Sequence, residues 1–246
     1  MPSLTSLAGK RVVVSGGTTG IGRELIALLG EQRARVLTFG RHQRELDAAL
    51  DYARGKGVSV AGMIADAACQ GDVERVFAEA DRQWSGVDIL VCCAGIGAEP
   101  IFEMAPDAWR YVIETNLVGY LACAQAALAR MFAQGGGHLV FIGSVSTAIK
   151  AKGESVYAAS KAGVDAFAET LRKEVAERGI KVSVIQPGSV DTDMQGCSDA
   201  EKREAIAREA MLHAEEVADA VLYVLTRSSR TDILNLRIEP RLQKTH

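Results

Sequence analysis

Ser144, Tyr157 and Lys161 are the residues whose types and spacing suit proton transfer to or from a substrate oxygen. From Val156 onward the sequence reads as helix, so Tyr157 and Lys161 stand one turn apart on the same face. Ser144 closes the apolar, strand-like run HLVFIGS and therefore falls at a strand tip. A phenol titrates near pH 10, too high for efficient acid–base work at about neutral pH. An ammonium group held one turn away favours the phenolate and lowers that value. A serine hydroxyl beside the pair orients a carbonyl, or stabilises charge developing on its oxygen. Alone, a tyrosine and a lysine one turn apart describe the surface of many amphipathic helices. Their weight depends on the elements around them.

Those elements alternate. Lys10–Ser15, Arg35–Phe39, Ser59–Ala65, Asp88–Ala94, HLVFIGS, Lys181–Gly188 and Ile233–Ile238 read as strands. Between them, residues 23–33, 41–54, 70–84, 106–133, 156–177 and 214–226 carry helical patterns. Ser198-Asp199-Ala200-Glu201 has capping-box form and opens a further short helix. Apolar strands joined by helices give a parallel sheet covered on both faces. No linker-like stretch or solenoid-spaced repeat divides the chain. Residues 1–246 therefore read as one doubly wound, Rossmann-type α/β domain. In such a fold the ligand lies across the carboxyl ends of the strands. Here those ends hold GGTTG, FGR, Ala65-Asp66-Ala67, Cys92-Cys93-Ala94-Gly95, GS and QPG.

Gly16, Gly20 and Gly22 stand between the first strand and the first helix. Glycines there permit a tight turn and let the backbone approach a pyrophosphate held at the helix N-terminus. The tip of strand two chooses between the two nicotinamide dinucleotides. An NAD site carries a carboxylate there for the ribose 2′-hydroxyl. This chain has Thr38-Phe39-Gly40-Arg41, and the guanidinium of Arg41 offers a planar fork suited to a 2′-phosphate. The expectation is NADP(H) in preference to NAD(H).

Composition narrows the remaining classes. A net charge of −3 leaves no basic footprint, which argues against nucleic acid or an anionic membrane surface as partner. The N-terminus lacks a basic-then-apolar leader pattern, and no apolar run approaches a membrane span. Cys69, Cys92, Cys93, Cys123 and Cys197 are an odd number without metal-like spacing, and the histidines are scattered. No metal site is expected, and a reducing, cytoplasmic setting is.

With both ends read, the chain resembles the short-chain dehydrogenase/reductase family, over nearly its whole length. Ser15-Gly16-Gly17-Thr18-Thr19-Gly20-Ile21-Gly22 is similar to the family's TGxxxGIG turn, with Ser for Thr. Asp66 matches the family aspartate near the adenine ring, and Asn116 in TNLVG the helix asparagine of a catalytic tetrad. Ser144 stands at the family's distance before Tyr157-Ala158-Ala159-Ser160-Lys161, its YxxxK. In QPGSVDT, Pro187, Gly188, Val190 and Thr192 match the segment bordering the nicotinamide. The resemblance implies that Tyr157 exchanges a proton with the substrate oxygen. Lys161 would lower the tyrosine pKa and bind the nicotinamide ribose. Ser144 would orient the carbonyl, and Asn116 would hold a water in the relay to Lys161. It also implies a homodimer or homotetramer, for which the alanine-rich outer faces (Ala122, Ala126, Ala129; Ala166, Ala168) suit close helix packing.

Two departures stand out. The family usually has NNAG after strand four, with asparagines tying neighbouring strands, where this chain has Cys92 and Cys93. The ending ILNLRIEPRLQKTH lacks the glycine-rich loop of many relatives and is more similar to small bacterial NADPH-dependent carbonyl and hydroxy-acid reductases. The expected activity is reduction of a ketone, aldehyde or 3-oxo acid, run in reverse as an alcohol dehydrogenase. The alternatives are a non-catalytic dinucleotide sensor or scaffold, an NAD-dependent alcohol, steroid or sugar dehydrogenase, and an epimerase or dehydratase. Lys150 and Lys152 in the loop after strand five are either solvated or an attraction for an anionic substrate.

Overall fold

The structure is a computed structural model that describes residues 4–243. The first three residues of the leader reading and the last three of the C-terminal ending lie outside the described residues. Seven parallel strands run in the order β3-β2-β1-β4-β5-β6-β7. They are β1 Arg11–Ser15, β2 Arg35–Gly40, β3 Ala61–Ile64, β4 Ile89–Cys92, β5 Gly137–Ile142, β6 Ile180–Pro187 and β7 Asn235–Ile238. The helices are α1 Gly20–Glu31, α2 Gln43–Gly55, α3 Gln70–Trp84, α4 Pro106–Ile113, α5 Gly119–Gln134, α6 Ser155–Val175, α7 Asp199–Ala207 and α8 Ala214–Thr226.

Strand alternation builds two cores. On β1, Val13 faces one side while Val12 and Val14 face the other; on β5, Leu139 and Phe141 oppose Val140 and Ile142. Val73 and Phe77 of α3, Tyr120 and Ala124 of α5 and Val164 of α6 cover the first side. Leu25 and Leu29 of α1, Ala49 of α2 and Val217 and Val221 of α8 cover the second. Each such large apolar side chain, fully buried, contributes about 1.5–3 kcal/mol. The doubly wound reading is correct, and the order reverses between β1 and β4, where a crevice opens.

Where the elements differ from expectation, the difference bears on the site. α1 begins at Gly20 rather than Arg23, so the glycine turn runs directly into the helix. α2 begins at Gln43, leaving Arg41 outside it on the tip of β2. β4 stops at Cys92, which frees Cys93, Ala94 and Gly95 from the sheet. The long helix expected over 106–133 is interrupted by a π turn at Glu114–Val118 that joins α4 to α5. By length and composition, the helical stretch 106–134 passes for a membrane span, with an 18-residue window of mean hydropathy 1.3, contrary to the sequence expectation. Their inner face, including Tyr120, Cys123, Ala127 and Met131, is core. Ala168, read as outward, is buried as well; Ala129 and Ala166 are exposed.

Candidate active site

One cavity of about 600 Å³ crosses the carboxyl ends of the strands. Gly16, Thr18, Thr19, Gly20, Ile21 and Gly22 line it from the first turn, Arg41, Asp66 and Ala67 from β2 and β3. Ala94 and Gly95 follow from β4, then Ser144, Tyr157 and Lys161, and finally Pro187, Gly188, Val190 and Thr192 beyond β6. Its size is that of a cofactor or ligand pocket. Two expected residues are not on its wall. Gly17 lies behind the turn, where an added Cβ would fall 2.1 Å from Thr38 Oγ1. Asn116 is fully buried beneath it.

The turn is built for close approach. Gly16 (φ +69°) and Gly20 (φ +49°) adopt left-handed conformations that favour glycine. A Cβ on Gly16 would meet Ala94 Cα at 2.5 Å, so β1 and the tip of β4 touch here through backbone alone. Thr19 begins α1 without a side-chain cap bond, which leaves the N–H groups of the first turn to an outside acceptor. A helix start with free donors accommodates a pyrophosphate. The cradle fits a dinucleotide.

At the far end Arg41 Nη1 donates to Tyr111 Oη at 2.6 Å, and Tyr111 Oη donates to Asp66 Oδ2 at 2.6 Å. The guanidinium lies 5.3 Å from the Tyr111 ring centroid. Burial and Asp66 raise the Tyr111 phenol above its usual pKa, opposed by Arg41. Sequence reasoning missed Tyr111: it sits in an ordinary helical pattern of α4, and nothing linear connects it to β2 and β3. Glu45, in the first turn of α2, also lines this end. The strand tip lacks a carboxylate, but helix geometry supplies one nearby.

At the near end Tyr157 and Lys161 share a face of α6, as their spacing requires. Lys161 Nζ donates to Ile142 O at 2.8 Å and lies 5.8 Å from the Tyr157 ring centroid. Burial lowers the Lys161 pKa to about 8, partly opposed by Cys93 and Asp165. Tyr157 departs from expectation. Burial raises its pKa, with a hydrogen bond to Ser144 pulling down and Glu154 pushing up. The group poised near neutrality is the lysine, because a buried ammonium loses hydration that a phenol does not need. Ser144 Oγ accepts from Ser146 N at 3.1 Å, which orients the hydroxyl at the tip of β5.

Asn116 lies in the π turn. Its Oδ1 accepts from Ile96 N at 2.8 Å, while Nδ2 donates to Ile96 O at 2.9 Å and Ser160 Oγ at 3.2 Å. It thus locks the loop after β4 onto α6. A Cβ built on Gly95 would stand 3.6 Å from Asn116 Oδ1 and 3.7 Å from Lys161 Nζ, so both groups converge on one point of the wall.

Cys92, Cys93 and Cys123 pack in or against the core. Cys92 is fully buried, its thiol pushed well above its usual pKa by burial with Cys123 beside it. Half-buried Cys93 is pushed up to about 12, where it carries no thiolate. All five cysteines are free. The tie expected of asparagines comes instead from Ser15, whose carbonyl accepts from Cys93 N at 3.0 Å and whose hydroxyl accepts from Ala94 N at 3.3 Å.

A parallel sheet with a glycine-rich phosphate cradle at its switch point, leading to a buried lysine and a half-buried tyrosine, defines a dinucleotide-dependent oxidoreductase. The chain belongs to the short chain dehydrogenase family, whose profile matches residues 10–203. An uncharacterized oxidoreductase of Staphylococcus aureus (strain USA300) is 32% identical over 238 residues, 96% of this chain and 100% of the relative. A short-chain type dehydrogenase/reductase from Mycobacterium marinum superposes with a TM-score of 0.87 at 26% identity, covering 96% of each chain. An actinorhodin polyketide ketoreductase variant solved with NADPH gives 0.85 at 28% identity, covering 95% of this chain and 97% of that one. A short chain dehydrogenase from Burkholderia cenocepacia J2315 in complex with NADP gives 0.85 at 28%, covering 96% and 98%.

Proposed function

We propose that this chain is an NADPH-dependent carbonyl reductase acting on a small ketone or aldehyde and, in reverse, an alcohol dehydrogenase. The observation that carries the reading is one continuous cavity with Arg41 at one end and Ser144, Tyr157 and Lys161 at the other. When bound, the nicotinamide supplies or accepts the hydride. Gly16 to Gly22 and the open start of α1 would hold its pyrophosphate, Asp66 and Arg41 the adenosine end, and Lys161, Pro187, Gly188, Val190 and Thr192 the nicotinamide end.

The chain's own residues handle the oxygen. Ser144 Oγ donates a hydrogen bond that holds the carbonyl and offsets its growing charge. Tyr157, its pKa raised by burial, keeps its proton through the neutral range and passes it to that oxygen. Lys161 replaces the proton, and Asn116 fixes the loop that flanks it. The proposal includes a homodimer or homotetramer, with Val118, Leu121 and Phe132 exposed on and beside the outer face of α5. NAD dependence is the second reading, favoured by Glu45 at the adenosine end.

Consumption of NADPH and NADH against a panel of aldehydes, ketones, 3-oxo esters and quinones tests both. Tyr157→Phe should lose nearly all turnover yet still bind cofactor; substantial residual activity would sink the mechanism. Arg41→Ala should weaken NADPH far more than NADH, since a charge-assisted contact to a 2′-phosphate contributes about 1.5–3 kcal/mol, roughly 10- to 100-fold. Equal effects on both cofactors would refute the NADP assignment.

A further inference from the structure

A second cavity, of about 690 Å³, shares Ser144, Tyr157, Gly188, Met194 and Gln195 with the first. It therefore starts at the groups that handle the oxygen and runs outward between the loop after β5 and α7. Ala98, Val145, Ile149, Ala205 and Met211 give it an aliphatic lining, and among the described residues Tyr157 is its one aromatic ring.

Among the described residues, its charged groups are three carboxylates, Glu154, Glu201 and Glu204, against one guanidinium, Arg208. That guanidinium is already paired with Glu204 at 3.1 Å. Among the described residues, the neighbouring lysines do not line it. Lys150, which donates to Thr147 O at 3.1 Å, and Lys152 are both exposed and absent from the cavity wall. Lys202 is buried against Asp191 at 3.5 Å. Glu154 is held in place by its backbone, its carbonyl accepting from Ala158 N at 2.7 Å at the start of α6. One turn before Tyr157, it acts electrostatically on that phenol. A substrate that places its carbonyl at Tyr157 must bring its remaining atoms along aliphatic walls under a net negative rim. A carboxylate or phosphate on it would meet like charge, from half-buried Glu154 beside Tyr157 and from the exposed Glu201 and Glu204, at a site open enough for salt to screen it.

We propose that the substrate is an uncharged ketone or aldehyde with a compact aliphatic body, and that Glu154, with Glu201 and Glu204, rejects anionic carbonyl compounds. The proposal rests on the reductase reading and narrows it by excluding 3-oxo acids. Exclusion by like charge is a specificity device that costs the favoured substrate nothing.

The test compares two near-isosteric ketones, 4-oxocyclohexanecarboxamide and 4-oxocyclohexanecarboxylate, with NADPH and the purified protein. At low salt the carboxamide should be favoured at least about tenfold in kcat/KM. That ratio should shrink severalfold in Glu154→Gln. It should shrink too when salt rises from about 0.01 M to about 1 M, which shortens the screening length from about 30 Å to about 3 Å. A carboxylate turned over as well as the carboxamide overturns the proposal, as does a ratio unmoved by Glu154→Gln, Glu204→Gln and salt. Calorimetric binding of the pair to the NADP⁺-loaded protein separates the two readings. Absent turnover of every ketone with retained preference for the carboxamide removes the reductase reading alone. Failure of any uncharged ketone in the panel to bind removes the substrate proposal.

Discussion

Lys161 carries the pH dependence of the proposed reaction. Its pKa near 8 lies closer to neutrality than that of Tyr157, which burial moves upward. As pH rises through about 8, Lys161 loses the proton it returns to Tyr157. Ketone reduction should therefore fall above about pH 8 and alcohol oxidation rise, read from kcat/KM in each direction. A flat profile between about pH 7 and 9 would show that Lys161 does not titrate in turnover. The residue types and their spacing were legible in the sequence, because a helix puts positions one turn apart on one face. The direction of the tyrosine shift was not. It depends on how deeply the ring is buried, a property of everything packed around α6.

The glycine turn shows how one element positions several residues at once. Gly16 and Gly20 serve through backbone conformation, as the motif suggests, whereas Gly17 serves through space. A Cβ there would meet Thr38 Oγ1 at 2.1 Å and Ile26 Cγ2 at 2.8 Å. Thr38 is fully buried and donates from Oγ1 to Val14 O at 2.9 Å, so it has little room to yield. Gly17→Ala should destabilise the protein by about 1–3 kcal/mol through overpacking, read as a lower urea midpoint at unchanged m-value. The double variant with Thr38→Ala should recover part of that loss; no recovery would place the strain elsewhere. The π turn at Glu114–Val118 is a second positioning element. It was not legible, since its residues continue the α-helical pattern of α4 and α5, and Gly119 just after it is read as an ordinary helix residue. The extra residue in the turn swings Asn116 toward Ile96 and Ser160.

At the scale of the whole molecule, acid stability depends on a group far from the cavity. His138 on β5 bonds Ser183 Oγ at 2.9 Å, and burial lowers its pKa to about 3. The unfolded chain takes up that proton near pH 6.5, while the folded chain does not until about pH 3, so stability declines as pH falls through this window. Between about pH 6.5 and 5, before carboxylates titrate, the loss should reach about 2 kcal/mol. Urea midpoints for the protein and for His138→Gln measure it: the variant should show the flatter dependence, and parallel curves would assign the loss to another group.

The alternation of strands and helices, the doubly wound topology, and the order of the cradle, the serine and the tyrosine–lysine pair are all readable along the chain. Each of these is written in local period or local spacing. Whatever depends on distant segments meeting was settled by folding. It brought Tyr111 between Arg41 and Asp66, and put Ser15 in the tying role expected of asparagines. It set Lys161 rather than Tyr157 near neutrality, and gathered Glu154, Glu201 and Glu204 around one cleft while turning Lys150 and Lys152 outward. Burial and electrostatic neighbourhood are sums over residues far apart in the chain, and no window of sequence contains them.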